Sequence, residues 1–151
     1  MKKLTKKQVI IRLQKTVKKL KALPNYKFNY GSYVYKSKEL KDGSTCGTVC
    51  CTAGWYPLWF PDAGLIWNNH NLESNTKYDI DKTLARYHGI NIRLVNVLFL
   101  GMEDFFDSKR YKFIKCYIGF EKNVSNVKRD EVIQLFEMVI NLIKKDEIDY
   151  C

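Results

Sequence analysis

Three of the five cysteines, two glycines and a tryptophan fall within residues 46–57, which read Cys46, Gly47, Thr48, Val49, Cys50, Cys51, Thr52, Ala53, Gly54, Trp55, Tyr56 and Pro57. A thiol can serve as a nucleophile, a metal ligand or a small buried hydrophobe, and glycine beside it marks a tight turn or a close approach. As a nucleophile, Cys46 is the candidate, because it precedes the expected start of a short helix whose dipole would favour thiolate. The chain has two histidines, His70 and His88, and either is a candidate base, with Asn68, Asn69 or Asp79 available to orient the ring. As metal ligands, Cys46, Cys50, Cys51 and Cys116 are sufficient in number with the histidines. They lack, however, the second C-x2-C or H-x3-H pair that structural zinc sites show. Buried structural thiols are therefore the default, and no metal or cofactor is expected.

A second constellation is basic. The formal charge is +10, and residues 1–38 hold twelve of the 26 Lys and Arg with no Asp or Glu, leaving 14 basic against 16 acidic residues beyond them. The excess is therefore local, and suits phosphate or an acidic protein surface. Arg12, Lys15, Lys18 and Lys19 carry it on the face of a helix opposite Val9, Ile10, Leu13, Val17 and Leu20, and are the expected contacts to an anionic partner. Aromatics follow over residues 26–35. Tyr33 and Tyr35, together with Trp55, are the expected aromatic contacts, since such rings stack on bases or anchor a protein interface. The same face has a plainer use in keeping the protein solvated.

A third is the run from Leu84 to Val95. Ala85, Gly89 and Val95 have the spacing of a DNA-binding helix-turn-helix, with a small residue at the crossing, glycine at the turn and an aliphatic anchor beyond it. Its second helix would leave mainly Asn91, Arg93 and Asn96 to reach bases, because Ile92, Val95, Val97, Leu98 and Phe99 make it apolar enough to be buried on two sides.

The elements that must position these residues follow from pattern. Thr5 and Gln8 form a capping box before a helix that ends at Pro24 and Asn25. Thr48 is placed to cap a short helix from about Val49 to Trp55, which Pro57 and Pro61 would break. A small hairpin is expected between Gly64 and Asp79. One helix should start at Asp79 or Asp81 and stop at Gly89, another should run from Asn91 to Gly101, and the last carries the stripe Val132, Ile133, Phe136, Val139, Ile140 and Ile143. The expected fold is mainly α with a minor β-hairpin, in one globular domain over residues 1–151. With 46% hydrophobic and 28% charged residues, no membrane-length apolar run and no signal-peptide core, a soluble cytoplasmic protein with reduced thiols is expected.

The motif Cys46-Gly47-Thr48-x-x-Cys51-x-x-Gly54-Trp55 resembles the shared core of a family of small phage and bacterial proteins, whose pattern is Cys-Gly-Thr-x-x-Cys-x-x-Gly-Trp. The resemblance extends to His88-Gly89-Ile90, where relatives have a Leu-Gly-Leu-like turn, and to Leu98-Phe99, where they have a Leu-Phe pair. Cys50 and Tyr56-Pro57 depart from some relatives. No biochemical activity comes with the family. The resemblance implies the setting of a phage-encoded accessory protein that binds, and so modulates host machinery or defence. A non-enzymatic binder of nucleic acid, a nucleotide-like ligand or an acidic host protein is thus the first expectation. A cysteine-dependent hydrolase or transferase using Cys46 with a histidine, and a helix-turn-helix protein, are the alternatives.

Overall fold

The capping box closes as its residues require: the Gln8 N–H donates to Thr5 Oγ1 at 3.3 Å, and the Thr5 N–H donates to Gln8 Oε1 at 2.8 Å. Helix α1 (Lys6–Ala22) follows and buries Val9, Leu13, Thr16, Val17 and Leu20. The computed structural model describes residues 3–28, 51–68, 71–100, 127–148 and 150, and of Leu100 only the backbone.

In the motif region the expected boundary is wrong. A 3₁₀ turn over Ala53–Trp55 leads into α2 (Tyr56–Trp59), so Pro57 lies inside the first turn of that helix and does not break one. The first turn of a helix leaves its N–H groups unbonded, so proline's missing donor costs nothing there. The chain then turns through Pro61–Ala63 to Gly64. The Thr48 cap falls outside the described residues.

Gly64 has φ +82°, and a Cβ on it would stand 2.7 Å from Thr76 Cγ2. That left-handed residue starts the hairpin of β1 (Leu65–Asn68) and β2 (Asn71–Ser74), antiparallel with Leu65 opposite Ser74 and Trp67 opposite Leu72. Leu65 and Leu72 face the core while Ile66 and Glu73 face out, the alternation a half-buried ribbon needs.

Helix α3 (Ile80–His88) ends at Gly89, φ +68°, whose N–H and that of Ile90 both donate to the Ala85 carbonyl at 2.8 and 3.1 Å. A Cβ on Gly89 would lie 2.9 Å from Leu4 Cδ1, so the glycine also lets the start of α1 approach. Asn91 caps α4 (Ile92–Val95), accepting the Leu94 N–H at 3.0 Å, and a single π-turn over Asn96–Leu100 continues it. The last helix, α5 (Arg129–Lys144), buries the expected stripe together with Leu135.

Helices α1 and α5 form the main packing pair and run antiparallel. Lys6 at the start of α1 donates to the Lys144 carbonyl and pairs with Asp146 at 2.7 Å. Farther along, Lys21 meets Glu137 at 2.6 Å, and Arg129 donates to the Leu23 carbonyl. The two lysine ion pairs are half or more exposed on at least one side and contribute little, so register comes from the interdigitated apolar stripes. The fold is mainly α with one minor β-hairpin, and a single apolar cluster joins every labelled element. No described helix is long and apolar enough to cross a membrane.

Candidate functional site

One polar residue interrupts the apolar stripe of α1: Thr16, fully buried. Its hydroxyl lies 2.6 Å from Tyr56 Oη, and that oxygen lies 2.6 Å from His88 Nε2. All three side chains are sealed from solvent. Thr16 Oγ1 also reaches the Arg12 carbonyl at 3.3 Å. With His88 Nε2–H donating to Tyr56, Tyr56 to Thr16 and Thr16 to that carbonyl, every hydrogen in the chain is used. Only the Nδ1 lone pair is then left without a partner among the described residues. The reverse order buries an Nδ1–H with no acceptor, the costlier orphan, so the Nε2–H tautomer is assigned.

Burial holds His88 neutral, with its pKa held down to about 3, and the nearby Arg12 charge adds to the effect. Burial likewise pushes Tyr56 well above the ordinary phenol value, against the opposing Thr16 hydrogen bond. A histidine in this state is a core hydrogen-bonding group and carries no charge near neutral pH. Of its expected thiol partners, Cys46 lies outside the described residues, as does the other histidine, His70.

Cys51, the described cysteine of the motif, is fully buried. Burial pushes its thiol up to about 11, although three backbone groups partly offset this. Two units above the ordinary value leave about 100-fold less thiolate near neutral pH. Iodoacetamide at pH 8 should therefore label the Cys51 peptide at least ~100-fold more slowly in the native protein than in guanidinium, read by peptide mass spectrometry. Equal rates would make Cys51 an exposed, reactive thiol. Gly54 and Trp55 are buried beside it. Trp55 stacks on Trp59 at 5.9 Å with 15° between planes, so it lies in the core and offers no open ring face of the kind expected of a binding contact. Cys46, Gly47, Thr48, Tyr33 and Tyr35 lie outside the described residues.

The four cations expected to meet an anion divide. Lys15, Lys18 and Lys19 are exposed on the outer face of α1, and among the described residues none has a carboxylate partner. Arg12 lies at the edge of that face, half-buried, with its guanidinium 4.6 Å from the Tyr87 ring centre. There it borders a cavity of about 350 Å3 whose walls include Asp62, Thr76, Tyr78, Arg86 and Tyr87. Arg86 lies over the Tyr78 ring at 4.3 Å. Burial raises the Tyr87 pKa, Asp62 raises it further, and Arg12 opposes both. Sequence reasoning named Arg12 but missed the rest of this wall. Arg86 and Tyr87 sit within the helix-turn-helix spacing, which says nothing of the face they share with Arg12.

The helix-turn-helix spacing does place Gly89 at a real turn. Its second helix, though, is inside the molecule: Leu94, Val95, Asn96, Val97, Leu98 and Phe99 are buried. Of the three residues expected to reach bases, Asn91 is spent on its cap and Asn96 is buried, which leaves Arg93 exposed. Comparison with protein families, with curated proteins and with solved structures returns no match to this chain.

Proposed function

We propose that this is a small cytoplasmic accessory protein, phage-encoded as its motif resemblance implies, that acts by binding an anionic partner along the outer face of α1 and performs no catalysis. The observation that carries this reading is the set Lys15, Lys18 and Lys19: three exposed ammonium groups with no carboxylate partner among the described residues. Every other lysine on this helix whose pairing is described, Lys6 and Lys21, is tied to the last helix or the turn after it. Lysines that serve as point charges suit the phosphate backbone of a nucleic acid, which needs charge more than geometry. A second reading, an acidic host protein, is favoured by Ile11, which is 40% exposed and flanked in sequence by this basic surface.

The test is fluorescence anisotropy of a labelled mixed-sequence single-stranded RNA at 50 and 200 mM salt. Three phosphate contacts predict about a 20-fold loss of affinity across that range. Reversing Lys15, Lys18 and Lys19 to Glu should remove that salt dependence along with most of the binding. Unchanged affinity in the reversed protein would reduce the face to solvation. RNA binding absent in both proteins, with salt-sensitive binding of a polyglutamate peptide by the wild type alone, would move the partner to the acidic-protein class.

A further inference from the structure

We propose that the trough between α1 and α5 carries a single-stranded nucleic acid with its phosphate backbone turned inward, and that Lys144 of α5 joins Lys18 of α1 in contacting it. The inference rests on the nucleic-acid reading of the α1 face and adds a second helix to it. Gln14, Lys18 and Lys21 line one side of the trough and Glu137, Asn141 and Lys144 the other, around a space of about 480 Å3. Residues 14–21 and 137–144 each span about 10 Å of helix, which sets the length of the two lips.

The charges of the trough favour an anion. Glu137 is the one carboxylate among its described lining residues, and Lys21 holds it at 2.6 Å. Lys18 and Lys144 are exposed, and neither has a carboxylate partner among the described residues. Asp146, two residues beyond Lys144, is taken by Lys6 at 2.7 Å. The Lys144 carbonyl also accepts from Lys6, at 2.8 Å, which fixes the backbone from which the Lys144 side chain projects. Each helix thus supplies one ammonium group that no described carboxylate offsets, which suits phosphates of one chain lying between them.

The shape selects a single strand. Packed helices have axes about 8–10 Å apart, so a duplex is too broad to enter the trough between them and would meet the outer α1 face alone. Val17 and Ile140, both buried, close the floor. No aromatic ring is among the described lining residues, so bases find no stacking platform here and face outward. The Gln14 and Asn141 amides are exposed, one from each helix, and an amide can donate to a phosphate oxygen or exchange hydrogen bonds with a 2′-hydroxyl. What the trough recognises is therefore the sugar–phosphate chain, independent of base sequence.

The experiment is fluorescence anisotropy of the full chain with labelled single-stranded oligo-U and oligo-A RNA at 50 and 200 mM salt. Three contacts on the helix face alone predict about a 20-fold loss of affinity over that range, and a fourth at Lys144 raises it to about 50-fold. Lys144→Gln should return the loss to about 20-fold and weaken both RNAs by the same factor. Lys145→Gln removes the same charge from the next residue, which does not line the trough, and should keep the loss near 50-fold. Binding of a duplex RNA should stay within about twofold in Lys144→Gln, because the duplex does not enter. Circular dichroism establishes that each variant is folded. A loss near 20-fold that Lys144→Gln leaves unchanged, or equal effects of Lys144→Gln and Lys145→Gln, overturns the trough. If reversal of Lys15, Lys18 and Lys19 still abolishes binding, that result leaves the helix-face reading standing. No RNA binding by the wild type overturns both, and polyglutamate binding that Lys144→Gln weakens would then make the occupant an acidic peptide.

Discussion

Taking the protein from pH 7 to pH 4.5 is expected to remove about 2.5 kcal/mol of stability through His88 alone. The ring is neutral in the fold, with its pKa at about 3 against an ordinary value of 6.5, because burial disfavours the imidazolium and Arg12 repels it. The unfolded chain therefore takes up the proton first as pH falls. Stability from this group is complete above about pH 7, declines between 6.5 and 3, and levels off below 3, where both states are protonated. Urea unfolding at the two pH values, for the wild type and for His88→Leu, isolates the contribution. The variant also loses the hydrogen bond to Tyr56, which shifts its stability at pH 7, but its loss on acidification should be smaller than the wild type's by about 2.5 kcal/mol. Equal losses would mean that His88 is accessible to a proton in the folded state, and would reopen it as a candidate base.

Truncating Phe99 to Ala should cost about 3–5 kcal/mol, the range for a fully buried aromatic. Its ring is sealed from solvent and meets Phe136 edge-on at 5.2 Å, Tyr56 edge-on at 5.4 Å and His88 at 5.0 Å. One side chain on the π-turn after α4 thus joins α5, the motif helix α2 and the end of α3. The cavity left would lie among rings from three elements that cannot all close on it, which places the cost toward the upper end. Arg93→Ala, earlier in the same segment and exposed, should change stability by less than about 0.5 kcal/mol. Chemical denaturation of both variants decides the matter. A loss under 1 kcal/mol for Phe99→Ala would mean that this segment stands on the surface, as a DNA-recognition helix would.

Much of the scaffold was legible because its signals are local. Thr5 and Gln8 announce the start of α1 three residues apart, Gly89 announces the end of α3, and the stripe of α5 repeats at helical period from Val132 to Ile143. The hairpin could be read from its polar turn. Pro57 was read as a breaker because proline has two meanings, and only the position of the helix start relative to it selects between them.

The candidate sites were legible to different depths. Exposure of Lys15, Lys18 and Lys19 follows from the phase of α1, since residues opposite an apolar stripe face water wherever that helix packs. Thr16 could have been noticed as the polar break in the stripe, but nothing local names Tyr56 and His88 as its partners. The Arg12 and Arg86 wall is equally invisible, because it depends on how α3 crosses α1, a long-range packing outcome that carries no period or spacing in the chain.

The sequence by itself determined the helices with clear caps and stripes, the hairpin and the concentration of positive charge, since each depends on residues within a few positions of one another. Tertiary structure alone decided that His88 is sealed against Tyr56 and that two arginines border one cavity, whereas the apolar residues after Gly89 and the default burial of a motif thiol already pointed inward in the sequence. Burial and convergence are properties of surfaces brought together from distant segments, and it is burial that sets the charge state of His88 and of the Cys51 thiol.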